Sequence, residues 1–241
     1  MIPYWMSRTQ LMLGDEIVEK LMGKNVLIIG LGGVGGICAE MIVRAGVGKM
    51  TIVDNDLIDE SNINRQIPAL QSTVKQPKAK VLASRLLDIN PLLELTVLEL
   101  FVEDTLTLNL IEKEKWDYIV DCIDTLSAKV NLIKACMDRH LPIVSSMGAG
   151  GKMDPSLIKV TDLSKTYECN LARYVRKRLQ ALGIKKGLKV VFSPEKPDQS
   201  KIIETENAYP KKSIIGTLSY MPAIFGCTVA SVVIRDLMAI D

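Results

Sequence analysis

The stretch LIIGLGGVGG, Leu27 to Gly36, is followed after one helix length by TIVDND, Thr51 to Asp56. These two pieces decide how the rest of the chain is read. Asn25 to Ile29 is a short apolar run, which predicts a buried parallel strand. Gly30, Gly32 and Gly35 form G-x-G-x-x-G directly after it. Glycine at such positions permits a tight turn and lets a phosphate approach the backbone at a helix N-terminus. Gly33 to Ala45 reads as that helix, closed by Gly46 and Gly48, and Met50 to Val53 as the second strand. Asp54 ends this strand, where a carboxylate accepts hydrogen bonds from ribose hydroxyls. Dinucleotide and ATP sites share all of this, so the turn predicts a nucleotide without saying which.

Outward from the turn the alternation continues. Lys75 to Leu87 carries apolar residues at helical spacing and stops before Asn90-Pro91. Leu95 to Phe101 reads as a strand, Leu106 to Ile111 as part of a helix, and Tyr118 to Cys122 as a fourth strand. Ser127 to Arg139 reads as a helix and Pro142 to Ser145 as a fifth strand. The expected fold is α/β, a doubly wound, Rossmann-like, mostly parallel sheet. After Gly148-Ala149-Gly150-Gly151 the rhythm changes to a C-terminal strand/helix extension. It comprises a strand at Leu157 to Thr161, a basic helix at Leu171 to Leu182, and a strand at Lys189 to Ser193. Pro194 to Ser213 is polar, contains three prolines and reads as a long mobile loop. Pro222 to Met238 is an apolar closing helix. The expected organisation is a nucleotide-binding core with N-terminal helices over 1–150, and an extension over 151–241 packed on the same domain.

Composition narrows the functional classes. A chain of 241 residues suits one large domain or one domain with an appendage. With a net charge of +2, any nucleic-acid footprint must be local. The five cysteines, at 38, 122, 136, 169 and 227, form no Cys-x-x-Cys pair. They predict neither a metal site nor a disulfide framework, and they fit a reducing cytoplasm. The N-terminus, MIPYWMSRTQ, lacks a basic region followed by an apolar run, so no signal peptide is expected. Ile214 to Ile234 is 21 uncharged residues, long enough to span a bilayer. Gly216, Thr217, Ser219, Pro222, Gly226, Thr228 and Ser231 interrupt it, and Pro222 suits the first turn of a buried helix. Stable membrane insertion is not expected.

The kind of nucleotide follows from charge. Asp56, Asn62, Arg65 and Gln66 come just after Asp54, Lys78 opens a helix after Pro77, and Asp124 follows the fourth strand. Ligands collect at the carboxyl ends of such sheets, so these groups can converge. A pyrophosphate carries about two negative charges, which a helix N-terminus and glycine amides largely offset. A triphosphate carries roughly twice that and calls for cations and a metal. Arg65, Lys78 and Mg²⁺ held by Asp124 supply them. Singly, Arg65 also reads as a surface ion pair, Lys78 as a solvated helix start and Asp124 as an N-cap. Together they favour ATP. The one histidine, His140, sits at a helix end and is poorly placed for the acid–base work many dehydrogenases require.

GLGGVGG, DNDLIDESNINRQ, QPKAK and DCIDT together resemble the adenylating domain of the ubiquitin-activating-enzyme-like (ThiF/MoeB-type) superfamily. The resemblance implies an ATP-binding adenylating core in which Gly30, Gly32, Gly33 and Gly35 form the phosphate turn. Asp54 binds ribose, Asn62, Arg65, Gln66 and Lys78 hold the phosphates, and Asp124 serves Mg²⁺. Arg8, in RTQLMLG, resembles an arginine that the partner subunit of a homodimer places near the phosphates. The two Cys-x-x-Cys pairs usual in the sulfur-carrier activators are missing, so zinc is not expected. The later segments GAGGKMDPSLIKVTDLSKT, LARYVRKRL, KVVFSPE and GTLSYMPAIFGCTVASVVIRDL resemble the tRNA threonylcarbamoyladenosine dehydratase branch. Where that branch commonly has Asp-Pro, this chain has Cys169-Asn170. The implied reaction is ATP-dependent ring closure of the modified adenosine in tRNA. Its nucleophile comes from the substrate, so no Ser–His or Cys–His pair is needed.

A tRNA partner needs a basic surface. Arg173 to Lys189 holds seven positive residues, Arg173, Arg176, Lys177, Arg178, Lys185, Lys186 and Lys189, and no acidic one. The plain alternative is a solvated helix face. A second reading within the same chemistry is activation of a ubiquitin-like or sulfur-carrier C-terminus, with a small carrier or sulfur-relay partner. There Cys169, near the basic helix and open to exposure, would accept the acyl group. The other four cysteines sit in apolar patterns and are expected in the core. A non-catalytic nucleotide-sensing scaffold, dimeric or not, is a third.

Overall fold

All five residues of β1 (Asn25–Ile29) are buried. A strand buried on both faces needs a layer of helices on each side, as an α/β parallel sheet provides. The chain, described as a computed structural model over residues 1–102, 104–198, 200, 202–204 and 213–239, builds that arrangement. Two N-terminal helices, α1 (Ser7–Leu13) and α2 (Asp15–Met22), precede β1. Then come α3 (Gly35–Arg44), β2 (Lys49–Val53), α4 (Lys78–Ile89), β3 (Glu94–Leu98), α5 (Asp104–Glu112), β4 (Tyr118–Asp121), α6 (Leu126–Asp138) and β5 (Ile143–Ser146). The remainder contributes β6 (Lys159–Asp162), α7 (Asn170–Ala181), β7 (Lys189–Phe192), β8 (Ile202–Glu204), β9 (Ser213–Ile215) and α8 (Tyr220–Ala239).

The main sheet has seven strands in the order β3-β2-β1-β4-β5-β7-β6. All neighbours are parallel except β6, which runs antiparallel to β7. The order reverses between β1 and β4, so the crevice beyond their carboxyl ends is where a ligand is expected in such a sheet. Alternate residues of β1 face two cores. Val26 and Ile28 join Leu82, Phe225 and Val229 on one side. Leu27 and Ile29 join Trp116, Leu132 and Val175 on the other.

The apolar segment expected to pack inside does so. Met221, Phe225, Val229 and Val233 of α8 are buried against the first core. Gly226 lets α8 lie directly on α3, because a Cβ there would stand 2.5 Å from the Val34 carbonyl oxygen. Among the described residues α8 is the one helix long and apolar enough to cross a membrane, and half of that window is buried within the protein. The segment 194–213 departs from the expected loop. Within it, 202–204 pairs antiparallel with 213–215 as a two-stranded ribbon, β8 with β9. Apolar alternation is too short in these three-residue strands to show in the sequence. Residues 205–212 of the expected loop lie outside the described residues.

Candidate active site

The glycine turn is shaped by contacts that allow no side chain at most of its positions. Gly30 has φ +88°, and a Cβ on it would stand 2.7 Å from the Cys122 carbonyl oxygen. A Cβ on Gly35 would meet the Gly30 carbonyl oxygen at 1.7 Å, and one on Gly33 would meet Pro222 Cβ at 2.8 Å. Gly32 is different. The nearest atom to a Cβ there is Gln66 Nε2, at 3.8 Å. The fold therefore needs glycine at 30, 33 and 35, whereas at 32 a methyl group would meet only an ordinary contact with Gln66. Gln66 is buried beside it, with its Oε1 unpaired among the described residues. The donor end of that side chain, Nε2, is the atom that faces Gly32, where phosphate oxygens can accept from it, while Oε1 is an acceptor suited to a hydroxyl or amino group of a ligand.

Asp54, Asp56 and Lys78 meet at the carboxyl end of β2. Asp54 accepts the Leu31 N–H at 2.7 Å and the Asp56 N–H at 2.8 Å. Lys78 Nζ donates to Asp56 Oδ2 at 3.0 Å and stands 3.7 Å from Asp54 Oδ1. Lys78 is only 3 % exposed, so it is not a solvated helix start. Its own N–H donates to the Asp56 carbonyl, which fixes where α4 begins. Burial pushes the Asp54 carboxyl above the usual carboxylate range, against the opposing pull of the Lys78 ammonium and the two backbone donors. A carboxylate held in this way keeps lone pairs for new donors such as ribose hydroxyls, and the buried ammonium keeps protons for phosphate oxygens.

The other expected residues are placed as follows. Asn62 Oδ1 accepts the Asp59 N–H at 3.2 Å, completing a capping box on the short turn at Glu60–Asn62. Arg65 folds onto its own loop, donating to the Ser61 carbonyl at 2.9 Å and to Asn64 Oδ1 at 2.8 Å. Its backbone carbonyl lies against Gly33. Asn64 Nδ2 donates to the Thr217 carbonyl, tying this loop to the chain just before α8. Asp124 is exposed in the connection between β4 and α6, two residues past the Cys122 carbonyl that abuts Gly30. Arg8 is exposed on α1, among exposed Tyr4, Leu11 and Met12. The fold thus joins Asp54, Asp56, Lys78 and Gln66 around the turn, sets Arg65 and Asp124 on its rims, and leaves Arg8 on a separate helix.

Sequence reading missed one polar cluster. Asp121, Lys129 and Ser145 are fully buried and bonded to one another just below Asp124. Its signal is a carboxylate closing an apolar strand, with a lysine among the buried Val130, Leu132 and Ile133 of α6.

The basic helix divides. Arg173, Tyr174, Lys177 and Arg178 are exposed on α7, and Lys185 and Lys186 are exposed after it. Arg178 Nη1 lies 3.3 Å from Ser127 Oγ, so α7 runs beside the start of α6 and the Asp124 loop. Arg176 must be reassigned. It donates to the Leu163 and Thr166 carbonyls and to Thr166 Oγ1, which makes it an anchor for the preceding turn. Lys189 is bound to Asp236 at 2.6 Å, at the amino end of β7 and away from the patch. Cys169, whose exposure the sequence left open, is buried at the start of α7. It lies in the wall of a cavity of about 370 Å³ shared with Tyr167, Arg173, Arg176 and Lys196. Of the cysteines expected in the core, Cys38 and Cys136 are buried and Cys122 is half-buried, but Cys227 is exposed on the outer face of α8.

Comparison with known proteins agrees with this fold. The family model described as ThiF family matches residues 7–240. The tRNA threonylcarbamoyladenosine dehydratase of Bacillus subtilis is 38% identical over 239 residues, covering 96% of this chain and 94% of the relative. The crystal structure of the E. coli tRNA N6-threonylcarbamoyladenosine dehydratase in complex with ATP superposes with a TM-score of 0.87 at 33% identity, over 97% of this chain and 93% of that one. The same enzyme in complex with AMP gives 0.86 at 32% identity, with the same coverage. A likeness this complete, running through the extension as well as the nucleotide core, means that the chain belongs to the ThiF family, in the branch of the tRNA threonylcarbamoyladenosine dehydratases.

Proposed function

We propose that the protein is an ATP-dependent enzyme that dehydrates threonylcarbamoyladenosine in tRNA. The observation that carries this reading is the buried Lys78 held between Asp54 and Asp56 beside a turn that the fold does not crowd at Gly32. A buried cation in addition to the glycine amides suits a triphosphate better than a dinucleotide. The threonyl carboxylate attacks the α-phosphate, an acyl-adenylate forms and pyrophosphate leaves. The ureido oxygen of the same modification then attacks the activated carboxyl, the ring closes and AMP departs, for a net loss of one water.

The chain's residues have to bind, orient and offset charge. The Gly30–Gly35 turn and Gln66 take the phosphates, Asp54 the ribose. Lys78 and Arg65 offset charge on the phosphates, Arg65 after leaving its bonds to Ser61 and Asn64. Asn62 holds the loop that carries Arg65. No group of three or more His, Cys, Asp or Glu side chains capable of holding a metal occurs among the described residues. In this reading Mg²⁺ comes in on the triphosphate, and a single carboxylate, Asp124, would hold it. When bound, that ion neutralises charge on the phosphates and the leaving pyrophosphate.

The tRNA partner is read from the exposed Arg173, Lys177, Arg178, Lys185 and Lys186 beside the Asp124 loop, with Tyr174 among them. A homodimer is read from the exposed apolar side chains Tyr4, Leu11 and Met12 around Arg8. The dimer would carry Arg8 to the partner's phosphates. Activity in the cytoplasm follows from the substrate. The deciding experiment incubates the protein with ATP, Mg²⁺ and tRNA bearing the modification and measures the mass of the released nucleoside. Loss of one water is expected, and an unchanged nucleoside refutes the reading. Activation of a carrier-protein C-terminus is the second reading, and the burial of Cys169 speaks against its thioester step. Cys169→Ala is expected to retain turnover. A variant that forms adenylate but no longer turns over would favour the carrier reading.

A further inference from the structure

A complete charge pair lies in the interior beneath the site. Lys129 Nζ donates to Asp121 Oδ2 at 2.6 Å and to Ser145 Oγ at 3.1 Å, while the Ser145 hydroxyl donates to the same Asp121 oxygen at 2.6 Å. Both charged side chains are 0% exposed. The other oxygen, Asp121 Oδ1, accepts the Ile123 N–H at 3.0 Å. Stability is a poor explanation for this arrangement. Taking two charges out of water is costly, and apolar residues of similar volume often serve a fold as well or better. What a saturated carboxylate provides is direction, since each of its bonds has a preferred geometry and apolar packing has none.

The bonds converge on one loop. Asp121 is the last residue of β4 and Lys129 lies in the first turn of α6. Between β4 and α6 run residues 122–125. The loop is held at its start by Asp121 Oδ1, and at its end by the Lys129 N–H donating to the Thr125 carbonyl at 3.0 Å. Ser145 is the register partner of Asp121 on β5, so a second strand locks the carboxylate in place. The loop carries Asp124. It also carries the Cys122 carbonyl, which packs so closely on Gly30 that no Cβ would fit between them. The same loop therefore touches the phosphate turn at one point and presents the candidate metal carboxylate two residues later.

We propose that Lys129, acting through Asp121 and Ser145, is a positioning residue that sets the separation between the glycine turn and Asp124. It touches neither nucleotide nor metal. The inference rests on the adenylation reading and adds to it the device that keeps the metal carboxylate in register with the phosphates.

The test replaces the whole cluster, Asp121→Leu/Lys129→Met/Ser145→Ala, so that no buried charge is left unpaired. Lys129→Arg serves as the conservative variant. The triple variant is expected to melt within a few degrees of the wild type. Amide hydrogen exchange over 122–125 should rise, and the Mg²⁺ midpoint for pyrophosphate release and kcat should each worsen by about tenfold or more. KM for ATP is expected to change far less than kcat, and Lys129→Arg to restore the exchange pattern. If the triple variant is unfolded, the same exchange measurement is read on Asp121→Asn/Lys129→Gln, which nearly keeps the volume and leaves no buried charge. A folded variant with wild-type exchange and a wild-type Mg²⁺ midpoint overturns the proposal. Wild-type protein that leaves modified tRNA unchanged refutes the proposed reaction instead, while the exchange measurement still reports whether the loop is clamped.

Discussion

Gly32 and Gly35 sit three residues apart in one turn, and the structure predicts opposite consequences for adding a methyl group to each. At Gly32 a Cβ would have Gln66 Nε2 as its nearest neighbour, at 3.8 Å, which is ordinary van der Waals contact. The backbone there does not have positive φ, so alanine is tolerated. Gly→Ala at a compatible position stabilises by about 0.4–1 kcal/mol, by reducing the freedom of the unfolded chain. For a chain of this size that amounts to roughly 1–4 °C in Tm. The ligand meets a different situation. A phosphate bound by backbone N–H groups must come within hydrogen-bonding distance of the chain, and a methyl group fills that space. Losing one or two charge-assisted bonds of about 1.5–3 kcal/mol each weakens ATP by roughly tenfold to ten-thousandfold. At Gly35 the same methyl would stand 1.7 Å from the Gly30 carbonyl oxygen, so the backbone must shift. That costs about 1–3 kcal/mol or more of stability. The assays are thermal unfolding without nucleotide and titration calorimetry with ATP. Gly32→Ala is expected to keep or raise Tm and lose ATP affinity, and Gly35→Ala to lose both. A Gly32→Ala protein that binds ATP as tightly as the wild type would mean that phosphates do not approach this turn, and the nucleotide reading would fall with it.

Three further outcomes are expected. Arg65→Ala and Lys78→Ala should each cut turnover by about 10²-fold or more through lost compensation of phosphate charge, and activity within tenfold of wild type in both would remove them from the mechanism. Because burial raises the Asp54 carboxyl above its unfolded value, protonated Asp54 contributes stability below the ordinary carboxylate range, and that contribution is lost as pH rises through the native value. At neutral pH, Asp54→Asn should weaken ATP binding about tenfold or more and also lower Tm, because an amide nitrogen cannot accept one of the two backbone N–H bonds that the carboxylate now takes from Leu31 and Asp56, and intact ATP affinity would contradict the ribose assignment. Removing Arg173, Lys177 or Arg178 should weaken tRNA binding and lower the slope of log affinity against log salt by about one per contact, whereas Arg176→Ala should lower Tm; an unchanged slope in all three outward variants would place the RNA elsewhere.

Much of this molecule is legible in the sequence, because much of it is decided locally. The apolar run before Gly30, the spacing of Gly30, Gly32 and Gly35, and the carboxylate at the end of the next strand each need only neighbouring residues to be meaningful. Alternating strand and helix patterns then dictate a doubly wound sheet, since each element must bury its apolar face against the next. The convergence of Asp54, Asp56 and Lys78 follows from that topology, for parallel strands bring their carboxyl ends to one edge. Only the tertiary structure decided which charges were already committed elsewhere. Arg176 and Lys177 are adjacent in sequence, yet the first is bound to the Leu163 and Thr166 carbonyls while the second faces solvent. Cys169 is buried by packing that no local pattern encodes. The Asp121–Lys129–Ser145 cluster joins the ends of two strands to a helix, and its partners lie 8 and 24 residues from Asp121. Hydrogen-bond partners separated along the chain carry no periodic signature, whereas apolar faces do. For that reason the sequence determined the fold and the nucleotide edge, and three-dimensional packing alone decided what holds the reacting groups in position.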